Sequence, residues 1–272
     1  MPPTTSLDEL GSALQTAVKQ QDTEEVRRLL SQLGDPLDRS EYKAVHPALL
    51  VALEEGYVDT ADLMLTRRPS FVNSVPVDEA AVSGAHTPIL ECLVKHGWNV
   101  NGDLDYLGTL LQHAIDVQGE YNPDVCRWLI DHGADINKRH AFLGLNPLER
   151  ACIESDPELI RYLLKKGATG KGNKPLCTAA WAGHIEALRI LLSEDGGGMD
   201  VNMDSDPSDK DYLNESSGTA LHNAAAYGKV DSIKFLLSKG ARKDIRNGAG
   251  MTPKDVAIFF EHPECVKALE ED

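Results

Sequence analysis

Histidine is the residue type with the widest chemical reach in this 272-residue chain, and it occurs nine times. An imidazole can transfer protons near neutral pH or bind a transition metal. No two histidines form a His-x-x-x-His pair, and the sequence contains no His-Glu-x-x-His motif. Because these spacings are the ones that place two histidine ligands on one helix face, we predict no helix-borne metal site.

The five cysteines are isolated from one another along the chain: Cys92, Cys126, Cys152, Cys177 and Cys265. Their number is odd and no Cys-x-x-Cys pair occurs, which argues against a disulfide framework and against a thiolate zinc site. We expect small buried thiols in a reducing compartment.

An acidic segment at 203–217 contains Asp204, Asp206, Asp209 and Asp211, as a calcium-binding loop would. The glycine and the terminal glutamate that such a loop requires are misplaced, so calcium is not expected there. The glycine-rich residues 170–172 lack the Lys-Ser/Thr of a phosphate-binding loop. We therefore predict no cofactor.

The chain carries 43 acidic and 27 basic residues, a net charge of −16. Such a field repels nucleic acid and anionic membranes and attracts basic partners, although it could also serve only to maintain solubility. Residues 1–22 contain neither a basic leader nor an apolar stretch of signal-peptide length, and no run of about 18 apolar residues follows. We expect an intracellular protein, in the cytoplasm or the nucleus.

These residues are distributed over a repeating pattern. The clearest copy reads G-T-A-L-H-N-A-A-A-Y-G at 218–228 and continues as K-V-D-S-I-K-F-L-L-S-K-G-A. An earlier copy at 174–192 reads K-P-L-C-T-A-A-W-A-G-H-I-E-A-L-R-I-L-L. One alanine can be followed through eight copies spaced by about 34 residues: Ala17, Ala52, Ala80, Ala114, Ala151, Ala179, Ala224 and Ala257.

Each copy predicts a helix–turn–helix unit. Thr219 or Pro147 can start the first helix, and pairs of alanines allow that helix to pack closely against its neighbour. A glycine such as Gly183 ends it, because glycine accepts a left-handed conformation. The second helix carries Leu and Ile at helical spacing. Since one unit cannot bury its apolar face alone, the units must stack.

This pattern resembles the ankyrin-repeat family over nearly the whole chain. The resemblance implies an all-α solenoid of seven to eight helix-turn-helix units with short hairpin turns, in a single domain at 1–272. The approximate units are 6–38, 46–73, 74–101, 102–137, 138–170, 171–202, 218–244 and 245–272, with 203–217 as an inserted loop. The third unit fits the pattern poorly, and His86-Thr87-Pro88 is expected to distort its turn. His96, His132, His184 and His222 occupy positions where the family commonly has histidine, which implies structural roles.

The residue before the repeated alanine forms a row along the inner helices. In three successive units that residue is Glu79, His113 and Arg150. These three side chains could converge on a ligand, with His113 as a proton carrier. The alternative is that they only hydrogen-bond one another, and we favour it because no nucleophile, phosphate loop or metal motif accompanies them.

A second row lies at the ends of the inner helices, and in ankyrin repeats this row commonly contacts partners. It comprises Glu54, Glu55, Asp116, Glu154, Trp181 and Tyr227. Carboxylates beside aromatic rings suit a Lys, Arg or methylated ammonium group. The turn tips add Tyr106, Arg139, His140 and Phe142 as an expected exposed cluster, and Trp98 is also expected to be partly exposed.

The sequence therefore predicts a protein-interaction module that binds a basic or cationic protein segment in an acidic groove containing aromatic residues. Nucleic acid and membranes are not expected partners. An atypical enzyme or small-ligand binder that uses Glu79, His113 and Arg150 is the alternative, but catalysis is not the expected function.

Overall fold

We analysed a computed structural model of the chain. It describes residues 6–34, 39–67, 69–84, 86–102, 104, 108–116, 123–140, 144–170, 174–194, 198–204 and 218–271. The chain divides into two compact units, 1–135 and 136–272. The boundaries of the individual repeats drawn from the sequence remain predictions, and so does the single domain at 1–272. The predicted insertion at 203–217 lies outside the described residues except for Met203 and Asp204.

The first unit is built from helix pairs. Its described helices are α1 (Leu7–Lys19), α2 (Thr23–Leu30), α3 (Arg39–Glu54), α4 (Val58–Arg67), α5 (Val75–Ser83), α6 (Thr87–Lys95), α7 (Leu110–Asp116) and α8 (Pro123–Asp131). The odd-numbered inner helices α1, α3, α5 and α7 pack in chain order, and so do the outer helices α2, α4, α6 and α8.

The second unit repeats this arrangement. Its described helices are α9 (Pro147–Glu154), α10 (Pro157–Lys165), α11 (Lys174–Ala182), α12 (Ile185–Leu192), α13 (Ala220–Ala226), α14 (Val230–Ser238), α15 (Pro253–Phe259) and α16 (Pro263–Glu270). Inner helices α9, α11, α13 and α15 pack successively, as do outer helices α10, α12, α14 and α16. The all-α fold predicted from the sequence is confirmed.

The repeated alanine marks the tightly packed face of every inner helix. All eight copies are buried, each with at most 4% of its surface exposed: Ala17, Ala52, Ala80, Ala114, Ala151, Ala179, Ala224 and Ala257. A small side chain at this position lets neighbouring helix backbones approach closely, and the aliphatic residues around it fill the remaining space.

Reciprocal side-chain caps begin several inner helices. In α9, Asn146 accepts a hydrogen bond from the Glu149 amide while the Glu149 carboxylate accepts one from the Asn146 amide. Thr252 and Asp255 form the same box at α15. These caps satisfy amides that otherwise have no partner in the first helical turn.

The turns between repeats are joined by asparagine side chains. Asn101 donates to the Gly133 carbonyl and accepts from the Asp135 amide. The same bridge is formed by Asn202 with Gly240 and Arg242. These hydrogen bonds fix the spacing between neighbouring turns within each unit, because each asparagine bonds two backbone groups of the next turn.

The third repeat forms both of its helices despite its weak match to the pattern. Thr87 and Pro88 begin α6 rather than interrupt it, and His86 is the residue before the helix. A proline in the first helical turn removes no intrahelical hydrogen bond.

Candidate functional site

The predicted row of partner-binding residues lies, in the second unit, at the C-terminal ends of the inner helices. Glu154 is the last residue of α9, Trp181 is next to last in α11, and Tyr227 follows α13. These helices pack side by side, so their ends form one continuous edge of the unit. Counted from the repeated alanine of each repeat, Glu154 and Tyr227 lie three residues on and Trp181 lies two residues on.

Trp181 and Tyr227 form the centre of this row. Their ring centroids are 5.4 Å apart, with the planes inclined by 38°. Trp181 is partly exposed and Tyr227 has 51% of its surface exposed. Aromatic pairs at this separation attract each other, while their outer faces remain free to contact another molecule.

This row extends one repeat further than the sequence predicted. At the end of α15, Ile258 and Phe259 have 56% and 55% of their surfaces exposed, and Phe260 has 37%. The two phenylalanine rings meet edge to face, with centroids 5.1 Å apart. Counting two and three residues forward from Ala257, as from Ala179 to Trp181 and from Ala224 to Tyr227, would have found both phenylalanines. We call Trp181, Tyr227, Ile258, Phe259 and Phe260 the aromatic row.

Glu154 is the acidic neighbour of the aromatic row in the repeat sequence. It is exposed, and its carboxylate lies 3.5 Å from the Arg150 guanidinium one helical turn earlier. The Arg150 side chain is only 19% exposed, but the Glu154 carboxylate is open to solvent, so this pair can be exchanged for contacts with a ligand. Arg150 therefore belongs to an ion pair in α9.

The first unit carries the other carboxylates predicted for this row. Glu54 ends α3 and Glu55 follows it, and both side chains are exposed. Asp116 is the last residue of α7, but its side chain lies outside the described part of the structure.

The exposure predicted for the turn-tip cluster is wrong for the two members that the structure describes. His140 is buried, with 7% of its surface exposed. Arg139 is partly buried and its Nη1 lies 3.1 Å from Oε1 of Glu149, a fully buried carboxylate. Burial raises the pKa of Glu149, and the nearby Arg139 charge opposes that effect. Tyr106 and Phe142 lie outside the described residues.

The alternative catalytic residues are found in separate units. Glu79 and His113 belong to the first unit, where burial lowers the pKa of His113 and the Glu79 charge opposes that change. The buried Nε2 of His113 has no hydrogen-bond partner among the described residues. Arg150 belongs to the second unit and pairs with Glu154. A catalytic role for the three remains an untested prediction.

Trp98 is buried, which overturns the expectation that it is partly exposed. Only 4% of its surface is exposed, and its Nε1–H donates to Oδ1 of Asp78 at 2.5 Å. Burial raises the pKa of Asp78, while the hydrogen bond from Trp98 acts in the opposite direction. The indole can be buried because this partner satisfies its only hydrogen-bond donor.

The cysteines are buried, as predicted, whereas the histidines vary: His140 and His222 are buried and His132 is exposed. His222 is fully buried, and its Nδ1 and Nε2 bond Thr219 and the Met251 carbonyl. All five cysteine side chains are buried. Cys92 differs from the other four because Asp62 and His96 lie beside its thiol.

No helix among the described residues is long and apolar enough to cross a membrane.

Comparison with known proteins agrees with the class of protein that this fold defines, a repeat protein built from stacked helix pairs. The sequence model of the family described as "Ankyrin repeats (3 copies)" matches residues 117–205 and 204–272, more than half of the chain. The chain belongs to the ankyrin-repeat family. Ankyrin repeats generally act as protein–protein interaction modules.

The relatives are repeat-containing proteins much longer than this chain. Neurogenic locus notch homolog protein 2 of Homo sapiens is 25% identical over 80% of the chain, a match that covers 9% of the human protein. Alpha-latrocrustotoxin-Lt1a of Latrodectus tredecimguttatus is 28% identical over 49% of the chain and 9% of the toxin. Tyrosine-protein kinase HTK16 of Hydra vulgaris is 26% identical over 56% of the chain and 20% of the kinase. The chain thus spans at most about a fifth of these proteins.

Proposed function

We propose that this chain binds another protein through the aromatic row, and that the bound segment carries basic as well as apolar side chains. The observation that carries the proposal is the exposure of Tyr227, Phe259 and Phe260 at the ends of neighbouring inner helices. Large rings left in solvent at equivalent positions of packed repeats are typical of interaction surfaces, whose binding energy is concentrated in aromatic residues.

The charge distribution supports a basic partner. Residues 1–135 contain 22 acidic and nine basic residues, a net charge of −13. Residues 136–272 contain 21 acidic and 18 basic residues, a net charge of −3. A cationic segment would therefore be attracted to the protein mainly by the field of the first unit, which includes the exposed Glu54 and Glu55.

The aromatic row can bind both parts of a cationic side chain. The methylene stem of Lys or Arg packs on an aromatic face, and the charged group is attracted by the ring electrons of Trp181 or Tyr227. The exposed carboxylate of Glu154 lies at the end of the adjacent helix in the same unit. Because the helices are already packed, binding requires little ordering of this protein.

The proposal is tested with the double variant Trp181→Ala/Tyr227→Ala. The full chain is immobilised, its partner is captured from cell extract and identified by mass spectrometry, and the binding segment is then synthesised as a peptide. We expect the double variant to bind that peptide at least about 30-fold more weakly, because two central aromatic anchors are removed.

Tyr162→Ala is the matched control, since Tyr162 is a partly exposed aromatic residue on the outer helix α10 of the same unit. Its affinity should equal that of the wild type, and all variants should melt as cooperatively as the wild type. Equal binding by the double variant would refute the role of the aromatic row. A wild-type chain that retains no protein above the level of empty resin would contradict the interaction function itself.

A further inference from the structure

Three possible metal ligands of different chemical types meet between two outer helices of the first unit. Asp62 lies on α4 and Cys92 on α6, and His96 is the residue that follows α6, four positions after Cys92 and therefore on the same side. Oδ1 of Asp62 is 2.8 Å from Nε2 of His96 and 3.9 Å from Sγ of Cys92. All three ligand atoms lie within 4.8 Å of one another.

The three side chains differ in their access to solvent. Cys92 is buried and the His96 side chain is nearly so, whereas the Asp62 side chain has 36% of its surface exposed. The sulfur and the imidazole thus lie on packed walls, and the carboxylate lies where an ion could enter from solvent. A fourth group, the Lys95 ammonium, contacts Asp62 Oδ1 at 2.7 Å from a largely exposed side chain.

We propose that Asp62, Cys92 and His96 form a binding site for Zn²⁺, with water as the fourth ligand. Thiolate, imidazole and carboxylate are the protein groups that Zn²⁺ accepts, and a mixed sulfur, nitrogen and oxygen set favours it over Mg²⁺ or Ca²⁺. The site links the outer helices of two successive repeats, so the ion would brace α4 against α6.

The observed distances are close to those that a tetrahedral site requires. Zinc–ligand bonds of about 2.0–2.3 Å separate tetrahedral ligands by about 3.3–3.7 Å. The His96–Asp62 distance is therefore somewhat short and the Cys92–Asp62 distance slightly long. Small rotations of the Asp62 carboxylate and the Cys92 thiol would bring these two distances into the required range, and the Cys92 and His96 ligand atoms lie within 4.8 Å of each other.

Binding exchanges one set of bonds for another. The Cys92 S–H bond breaks, its proton goes to solvent and the sulfur binds the ion as a thiolate. His96 binds through Nε2 as a neutral imidazole, which ends its hydrogen bond to Asp62. The Lys95 ammonium moves from Asp62 towards solvent, because Zn²⁺ on the same carboxylate repels it.

The next repeat has the equivalent histidine but no cysteine at the position of Cys92, so it does not repeat this combination of ligands. His132 occupies the position of His96, but Trp128 stands where Cys92 would be. The His132 ring stacks on Trp128 with centroids 3.7 Å apart, and its Nδ1 bonds the Trp128 carbonyl. His132 is therefore a matched internal comparison, a histidine at the same repeat position that belongs to no such ligand cluster among the described residues.

Cobalt(II) replaces Zn²⁺ in such sites and makes the ligands visible. Titrating the reduced full-length chain with Co²⁺ should produce a thiolate-to-cobalt charge-transfer band that saturates at one equivalent and disappears when Zn²⁺ is added. Cys92→Ala should remove the band. Asp62→Asn and His96→Gln should weaken Zn²⁺ binding at least about 100-fold, since loss of an outer-shell partner alone costs 10- to 100-fold.

Three variants act as controls and keep the test decisive. His132→Gln and Cys126→Ala should leave metal affinity unchanged, because neither residue belongs to the cluster. Lys95→Ala should strengthen binding by up to about 5-fold, since it removes an exposed competing ion pair. It is a mild surface change, so it remains informative even if Cys92→Ala folds poorly.

Absence of a thiolate band with Co²⁺ in excess would overturn the proposal. A band that persists in Cys92→Ala would do the same, because it would assign the metal to another cysteine. Unchanged affinity in Lys95→Ala together with unchanged affinity in Asp62→Asn would remove Asp62 from the site and refute the three-ligand assignment.

Discussion

Individual buried polar residues in this protein are held by partners that the repeat pattern does not specify. Glu149 is the strongest case, since its carboxylate is fully buried yet closes the cap of α9 and pairs with Arg139. A buried carboxylate without a counter-charge lowers the stability of a fold. Arg139 is therefore expected to stabilise the folded protein rather than to bind a ligand.

Replacing Arg139 with alanine should lower the free energy of unfolding by about 2 kcal/mol, less than for a fully buried pair because solvent screens the partly exposed guanidinium. Urea denaturation followed by circular dichroism measures the change. The loss arises because the Glu149 carboxylate, whose pKa burial already raises, is then compensated less well, by the nearby Lys174 charge without that of Arg139.

The double variant Arg139→Ala/Glu149→Gln separates this explanation from a simple packing defect. Glutamine keeps the oxygen that caps the Asn146 amide and carries no charge, so most of the lost stability should return. If the double variant is no more stable than Arg139→Ala, the ion pair is not the reason that Arg139 matters.

The burial of Trp98 and His140 could not be predicted from the sequence. Both were expected to be exposed, because the first stands where the family prefers alanine and the second lies at a turn. Trp98 is buried since Asp78, 20 residues earlier, accepts its N–H. A partner that distant in sequence cannot be found from local spacing, which is why helix positions were predicted better than side-chain environments.

At the scale of the helices, the sequence was a good guide because repetition averages out local irregularities. One alanine, followed from Ala17 to Ala257, correctly marked the buried face of eight inner helices. The same register, applied one repeat further, would have located Phe259 and Phe260. The spacing from the repeated alanine is therefore a sufficient signal for these two residues.

Two glycines that end helices in the second unit should tolerate substitution to different degrees. Gly167 has φ +91° and an added Cβ would meet nothing within 4 Å. Gly228 has φ +69°, and an added Cβ would lie 3.1 Å from two atoms of the His262 ring. That ring bonds the Ala226 carbonyl through Nε2 and so joins the last two repeats.

Gly167→Ala should therefore cost about 1 kcal/mol, for the left-handed backbone alone. Gly228→Ala should cost about 2 kcal/mol, because the imidazole must also shift and lose a hydrogen bond. Thermal and urea midpoints of both variants give the comparison. Equal losses would mean that the His262 contact adds nothing to the joint between these repeats.

At the scale of the whole molecule, the dominant property is uncompensated negative charge. Of the net −16, −13 falls in residues 1–135, where 22 acidic residues stand against nine basic ones. Like charges brought together by folding repel one another and oppose the folded state. The acidity that would attract a basic partner therefore reduces the stability of the protein that carries it.

Added salt should for this reason stabilise the free protein. Raising the ionic strength from 0.01 M to 0.15 M shortens the screening length from about 30 Å to about 8 Å, which removes most repulsion between carboxylates on neighbouring repeats. The melting temperature, measured by circular dichroism, should rise over this range and change little beyond it.

Sodium and potassium chloride should act equally, because screening depends on ionic strength and not on the identity of the ion. A difference between the two salts would indicate a bound cation, and a constant melting temperature would show that local ion pairs, such as the Arg28–Glu25 pair at 2.6 Å, already offset the net charge.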